Sequence, residues 1–200
     1  MILFGASGHS LVVKEIIESR GEKVLFYMDD DPAKFQYDGI EVKHENVQEL
    51  AGNEPVIVSI GDNLLRYRVS QKLSCIFGKA IAPGSFISQD AMIAEGTVVF
   101  YNVAVQSKTT IGKHCILNNA CSVDHECIIG DFVHIAPGVI LCGAVKVGSM
   151  TMIGAGSTVI QGITIGSNVT IGAGSVIIKD VPDNAVVVGN PGRIIKYKND

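Results

Sequence analysis

Residues Ser122 to Gly138, SVDHECIIGDFVHIAPG, set a histidine between two carboxylates, Asp124 and Glu126, in a stretch that is otherwise aliphatic and small. An imidazole can accept a proton near neutral pH, and a neighbouring carboxylate can orient the ring and stabilise its charged form. A second histidine, His134, follows His125 in the same stretch. Other groups able to bind or react lie elsewhere: the loop Gly5-Ala6-Ser7-Gly8-His9, the acids Asp29 and Asp30, the turn Gly61-Asp62-Asn63, and the tail segment Gly189-Asn190-Pro191-Gly192-Arg193. What they can do depends on the elements that hold them.

From Ile81 to Ile177 every sixth residue is aliphatic, seventeen times without a break. Neither a helix nor a simple strand has that period. The residue two before each hit is usually small, as at Thr97, Thr109, Cys115, Cys121, Cys127, Thr151, Ser157 and Ser175, and the residue three after it is often Gly or Asn. A chain that runs straight for a few residues, turns and repeats, with the aliphatic and small residues inward, closes a triangular coil in three sides. Successive coils then hydrogen-bond at strand spacing, which is a parallel β-helix. Residues 81 to 182 make a little over five coils of eighteen residues.

This register places the reactive residues. His125 and Glu126 fall second and third after the inward Val123, at a corner, and project outward, whereas Cys127 points in. One coil beyond His125 is Gly143, so a hollow and an accessible N–H adjoin the imidazole. His134 lies half a coil away on a flat side. Sides of roughly 15 Å keep the two imidazoles apart within one β-helix. Neighbouring β-helices in a ring would bring them together, so a cyclic homotrimer with sites between subunits is expected. His114 is read as having no role. A zinc site of His114, His125 and His134 is disfavoured, since the three occupy different repeat positions, and no metal is expected. Cys115, Cys121 and Cys127 share the small inward position and are core. Five cysteines without a CxxC pair give neither a disulfide framework nor a zinc ribbon.

Before residue 80 the pattern changes. ILF, VLFYMDDD and PVIVSIGDN read as strands, LVVKEIIES and LLRYRVSQKL as helices, together a small parallel α/β sheet. Ligands of such sheets sit at the carboxyl ends of the strands. The GASGH loop opens a helix whose free N–H groups favour a phosphate. Asp29 and Asp30 end the second strand, where a ribose-reading acid belongs, and Gly61, Asp62 and Asn63 end the third. The domains are thus 1–80, Rossmann-like and nucleotide-binding, and 81–200, the β-helix with a C-terminal cap carrying Arg193, Lys196 and Lys198.

Forty-seven per cent hydrophobic residues and a formal charge of −4 indicate a globular protein, without the basic blocks that nucleic acid or an anionic membrane would call for. No signal-like segment or membrane-length apolar run is present, and a cytoplasmic location is expected.

The hexapeptide period resembles that of the hexapeptide-repeat acyltransferases, whose β-helix is left-handed. With GASGH, the strand-end aspartates, IGDN, DHE and VGNPG in order, the whole chain resembles the bacterial sugar O-/N-acyltransferases that acetylate sialic acids or UDP-linked 4-amino sugars. That resemblance implies a nucleotide sugar on the N-terminal domain at Gly5 to His9, Asp29, Asp30 and Gly61 to Asn63. It implies acetyl-CoA between adjacent β-helices near Asn118, His134, Gly143, Gly189, Asn190, Pro191 and Arg193, and a trimer. His125 matches the catalytic base, Glu126 its acidic companion and Gly143 a donor to the thioester. Ser10 stands where relatives often have glycine, and Asp62 where asparagine is common. The expected activity is acetyl transfer to the amine of a nucleotide-linked 4-amino sugar; O-acetylation of a sialic acid or other sugar, or a non-catalytic nucleotide-binding scaffold, are the alternatives.

Overall fold

The computed structural model describes residues 1–44 and 53–198. Its N-terminal unit is a sheet of β1 (Ile2–Phe4), β2 (Tyr27–Met28), β3 (Gln36–Tyr37), β4 (Ile40–Lys43) and β5 (Val56–Val58), in the order β3-β4-β2-β1-β5. β1 is parallel to both β2 and β5, one on each side, so the strand order reverses beside it. A crevice opens at such a point, outside the carboxyl ends of the strands. The β3–β4 hairpin adds an antiparallel edge that the sequence reading did not contain. α1 (Gly8–Ser19) follows β1, and α2 (Asn63–Lys72) follows β5. α1 buries Ser10, Val13, Ile16 and Ile17, while Leu11, one of the residues used to recognise the helix, faces solvent.

Strands β6 (Ala80–Ile81) to β22 (Val176–Ile177) are each two residues long and form three parallel sheets. Ala104, Ser122, Ile140, Thr158 and Val176 stack in one column, which fixes the coil at eighteen residues. The inward aliphatics from Val99 to Ile177 form one continuous core. The small inward residues keep their polar atoms satisfied inside it. Thr97 Oγ1 donates to Gly112 O at 2.8 Å, Thr109 Oγ1 to Asp124 O at 2.7 Å and Thr151 Oγ1 to Gly166 O at 2.8 Å. Cys115 and Cys127 make the same bond with Sγ, to Gly130 O and Cys142 O. Burial pushes the thiols of Cys115 and Cys121 up to about 12 and that of Cys127 to about 11, so these three are core and not nucleophiles.

From Ile93 to Ile171 the corner position three after each inward aliphatic adopts positive φ, whatever its side chain: Glu126 at 59°, Phe132 at 58°, Ala144 at 59° and Met150 at 64° behave as Gly138 does at 67°. At the far end, β23 (Ala185–Val188) joins in parallel the third sheet, the one that starts at β6 and carries Val98, Ile116, His134, Met152 and Thr170, and β24 (Arg193–Tyr197) folds back on β23. The α/β unit lies on the outer face of that third sheet, where Ala80, Val98, Phe100 and Ile116 share a core with Leu3, Val13, Ile16 and Tyr27. Among the described residues no helix is long and apolar enough to cross a membrane.

Candidate active site

His125 stands at the corner between β13 (Ser122–Val123) and β14 (Ile128–Ile129), and both it and Glu126 are 56 % exposed at the side chain. Its Nδ1 lies 3.1 Å from Glu126 Oε2, and its backbone N–H donates to Asp124 Oδ1 at 2.7 Å. A carboxylate accepting from Nδ1–H leaves Nε2 as the acceptor. A Cβ built on Gly143 would fall 2.6 Å from both Cε1 and Nε2, so the imidazole occupies the hollow that a missing side chain provides. The Gly143 N–H has no protein acceptor among the described residues. An imidazole, a carboxylate at its Nδ1 and a backbone N–H without a protein acceptor among the described residues thus lie together at one open corner. The outward residues Phe86, Met92, Ile128 and Ile140 are exposed and apolar.

His134 lies on the outer face of the third sheet, opposite Gly61, Asp62, Asn63 and Leu64. Together with Met150, Met152 and Lys198 they line a cavity of about 620 Å³ at the junction of the two units. His134 Nε2 is 3.3 Å from Asn118 Nδ2, so these two expected residues do meet. Burial, reinforced by the Arg66 cation, lowers His134 to about 4 and keeps its ring neutral. Asp62 caps α2 by accepting from Leu65 N–H at 2.7 Å, and Asn63 Nδ2 donates to Met150 O and Thr151 O at 3.1 and 3.2 Å.

A second pocket, of about 270 Å³, opens at the strand ends beside β1 and is lined by Gly5, Ser7, Asp29, Asp30, Lys34 and Ile60. Its amides are less free than the loop sequence implies. Gly5 N–H donates to Met28 O, Ala6 N–H to Asp29 Oδ2 at 2.8 Å and Ser7 N–H to Ser10 Oγ at 3.1 Å. The N–H groups of Gly8 and His9 have no protein acceptor among the described residues. Ser10 therefore braces the loop. Burial works against the charge on Asp29, but bonds from Ala6 N–H, Lys34 and Asp31 N–H outweigh it and hold the carboxyl below its ordinary value. Lys34 Nζ sits 2.9 Å from Asp29 Oδ2, the cation of this pocket. The His9 ring instead stacks on Phe100 at 5.4 Å, against the β-helix, and burial lowers it to about 4.

The structure therefore divides the polar strand ends. Gly5, Ser7, Asp29 and Asp30 share one pocket, whereas Gly61, Asp62 and Asn63 face His134 in the other. Gly189, Asn190 and Pro191 form the turn between β23 and β24, and Arg193 lines a separate cavity with Lys179 and Asp180. Lys34 and Arg66 escaped the sequence reading, because a loop lysine and a helical arginine look like ordinary surface charges. Among the described residues no three histidine, cysteine or acidic side chains gather into a metal-holding group.

An imidazole at an open β-helix corner, joined to an open α/β sheet with a strand-end pocket, is the architecture of a hexapeptide-repeat transferase with an N-terminal α/β domain. Residues 1–73 match the PglD N-terminal domain family and 144–179 the bacterial transferase hexapeptide family. GDP-perosamine N-acetyltransferase of Escherichia coli O157:H7 is 30 % identical over 165 residues, 77 % of this chain and 75 % of that one. The structure of perosamine N-acetyltransferase from Caulobacter crescentus, a histidine variant in complex with CoA and GDP-perosamine, superimposes with a TM-score of 0.91 at 33 % identity, over 98 % of this chain and 96 % of that one. A probable carbonic anhydrase of Methanocaldococcus jannaschii is 42 % identical over 125 residues, 58 % of this chain and 78 % of that one. The chain belongs to the bacterial sugar O-/N-acyltransferase family, the acetyl-CoA-dependent sugar acetyltransferases of the hexapeptide-repeat class.

Proposed function

We propose that the protein transfers acetyl from acetyl-CoA to the amine of a nucleotide-linked 4-amino sugar, with His125 as general base. The observation that carries this is the His125 ring seated on Gly143 with Glu126 at its Nδ1. In this reading His125 Nε2 takes the amine proton as nitrogen bonds to the thioester carbonyl carbon. The carbonyl oxygen gains charge beside the Gly143 N–H, and the C–S bond then breaks as the imidazolium returns its proton to the departing sulfur, which releases CoA as its thiol. Glu126 stabilises the imidazolium meanwhile. No enzyme-bound acyl group is needed.

Residues 1–80 hold the nucleotide sugar in this reading. Asp30 and the Lys34–Asp29 pair face the nucleotide, and the Gly8 and His9 N–H groups face its phosphates. Residues 81–200 carry the acetyl transfer, with Arg193 and the Gly189–Pro191 turn toward CoA. The exposed Ile128 and Ile140 near His125, with Phe86 and Met92 two coils away on the same two sheets, support a trimer in which these faces meet and His134, with Asn118, is presented by the neighbouring copy. Similarity to the GDP-perosamine N-acetyltransferases supports an amine acceptor.

Free thiol release should be measured with acetyl-CoA against GDP- and UDP-linked 4-amino sugars, sialic acids and simple alcohols. The proposal expects turnover with a nucleotide amino sugar and none with alcohols. Preference for a sialic acid or another hydroxyl would replace it with O-acetylation, and titration of GDP and UDP against Asp30→Ala locates the nucleotide.

A further inference from the structure

Arg66 is the largest side chain in the molecule to be fully buried, with 1 % of its surface exposed. Among the described residues no carboxylate is in salt-bridge contact with it, although the Asp62 charge acts on it from farther off. Its guanidinium donates instead to five oxygens of uncharged groups. Nε donates to His114 O at 2.8 Å, Nη1 to Ile60 O at 2.9 Å and Gly61 O at 3.1 Å, and Nη2 to Asn63 Oδ1 at 2.8 Å and Phe132 O at 3.1 Å. Ile60, Gly61 and Asn63 belong to the loop between β5 and α2, whereas His114 and Phe132 are β-helix corners. Burying a charge against carbonyls alone is costly, because desolvation is offset only by dipoles. An apolar residue would hold two units together without that cost. A fork of fixed geometry supplies what apolar packing does not, namely defined positions for several backbone oxygens at once.

Those positions matter to the junction cavity. Gly61 and Asn63 form the wall that faces His134. Asn63 is itself held from both sides, by Arg66 at Oδ1 and by its own donation to Met150 O and Thr151 O. We infer that Arg66 is a positioning residue of the junction cavity, taken here as the place of the acceptor's sugar beyond its nucleotide; its guanidinium clamps the Ile60–Asn63 loop to the corners at His114 and Phe132 and so sets the cavity wall opposite His134. This rests on the acetyltransferase reading for the identity of the ligand, though not for the clamp itself. The same cation contributes, after burial, to keeping His134 neutral, so removing it acts on the far wall as well.

Arg66→Lys keeps the charge but cannot span five acceptors, and Arg66→Met keeps the stem alone. In the unliganded full chain, hydrogen exchange at residues 60–66 should accelerate at least tenfold in both variants, with coils beyond Gly154 unchanged. In the acetyl-transfer assay the KM for the nucleotide amino sugar should rise about tenfold or more while CoA affinity, measured by titration, stays within twofold. If Arg66→Lys restores acceptor KM and loop protection, charge alone suffices and the clamp is wrong. Equal losses for acceptor and CoA would mark Arg66 as merely structural, which also overturns the inference. Wild-type inactivity toward every amino sugar would instead defeat the functional reading, and the exchange arm would still decide the clamp. Should both variants fail to fold, Asn63→Ala, which removes one acceptor, is expected to show the same pattern at smaller amplitude; unchanged exchange there would count against the clamp.

Discussion

His114 and His125 use one structural device in two surroundings. Each ring is seated on a glycine one coil away: a Cβ on Gly96 would fall 2.1 Å from His114 Nδ1, and one on Gly143 would fall 2.6 Å from His125 Nε2. His114 is enclosed, stacked on Phe132 at 4.9 Å and edge-on to Phe77 at 4.5 Å, and its Nδ1 has no partner among the described residues. Burial, with Arg66 as the next cause, lowers it to about 4. His125 stands in solvent with a carboxylate at Nδ1. The glycine hollow therefore seats both rings alike, and solvent access and a carboxylate at Nδ1 are what set His125 apart and suit it to the proposed role of base. The difference also teaches where each residue's effect is felt, since one ring packs a domain junction and the other packs nothing.

The sharpest way to break the comparison is to remove each ring. His125→Ala is expected to lower turnover by roughly 10²-fold or more, the usual range for a positioned base, with an unchanged melting temperature. His114→Ala should cost about 3 kcal/mol of stability and leave turnover of the folded protein within a few fold. Thiol-release kinetics paired with thermal melts would show the opposite pattern if the roles were reversed.

Filling the hollows separates the two further. Gly96→Ala meets a ring walled in by aromatics and also requires an alanine at φ +72°, so several kcal/mol of destabilisation are expected. Gly143→Ala meets an exposed ring that can swing aside. It should melt within about 1 kcal/mol of wild type while losing roughly tenfold or more in turnover, because the base is displaced. A large melting shift for Gly143→Ala would mean that His125 is held as rigidly as His114.

Stability against pH tests the enclosed set as a whole. His9, His114 and His134 are each lowered to about 4 from the ordinary histidine value of about 6.5, mainly by burial. Between those values the unfolded chain binds the more protons, so native stability is complete above pH 6.5 and is lost as pH falls toward 4. Denaturant midpoints measured across this window should fall steeply. His114→Ala should flatten the slope.

The smallest effect concerns the corners themselves. Ala144 holds φ +59° one coil beyond Glu126 at the same angle. Ala144→Gly is expected to stabilise by about 1 kcal/mol, since glycine adopts this region without the Cβ clash. Calorimetry showing no gain would mean that the coil has relaxed around the side chain.

The six-residue period, read from the sequence alone, determined the β-helix, the inward place of the aliphatics and cysteines, and the pairing of His125 with Gly143. It could do so because a solenoid's long-range contacts are repeats of a fixed sequence offset, so register is arithmetic. The strand, turn and helix signals likewise marked the α/β unit and the acids after its second strand. What followed no offset stayed hidden. The β3–β4 hairpin, the tying of Ala6 N–H by Asp29, the turning of His9 onto Phe100 and the separation of Gly61–Asn63 from the first pocket depend on how the unit docks on the third sheet. Arg66 is the extreme case. In LLRYRVSQKL it reads as one surface charge among several, and only the approach of two β-helix corners to α2 encloses it, because burial of a charge is set by the packing of distant elements and leaves no local signal.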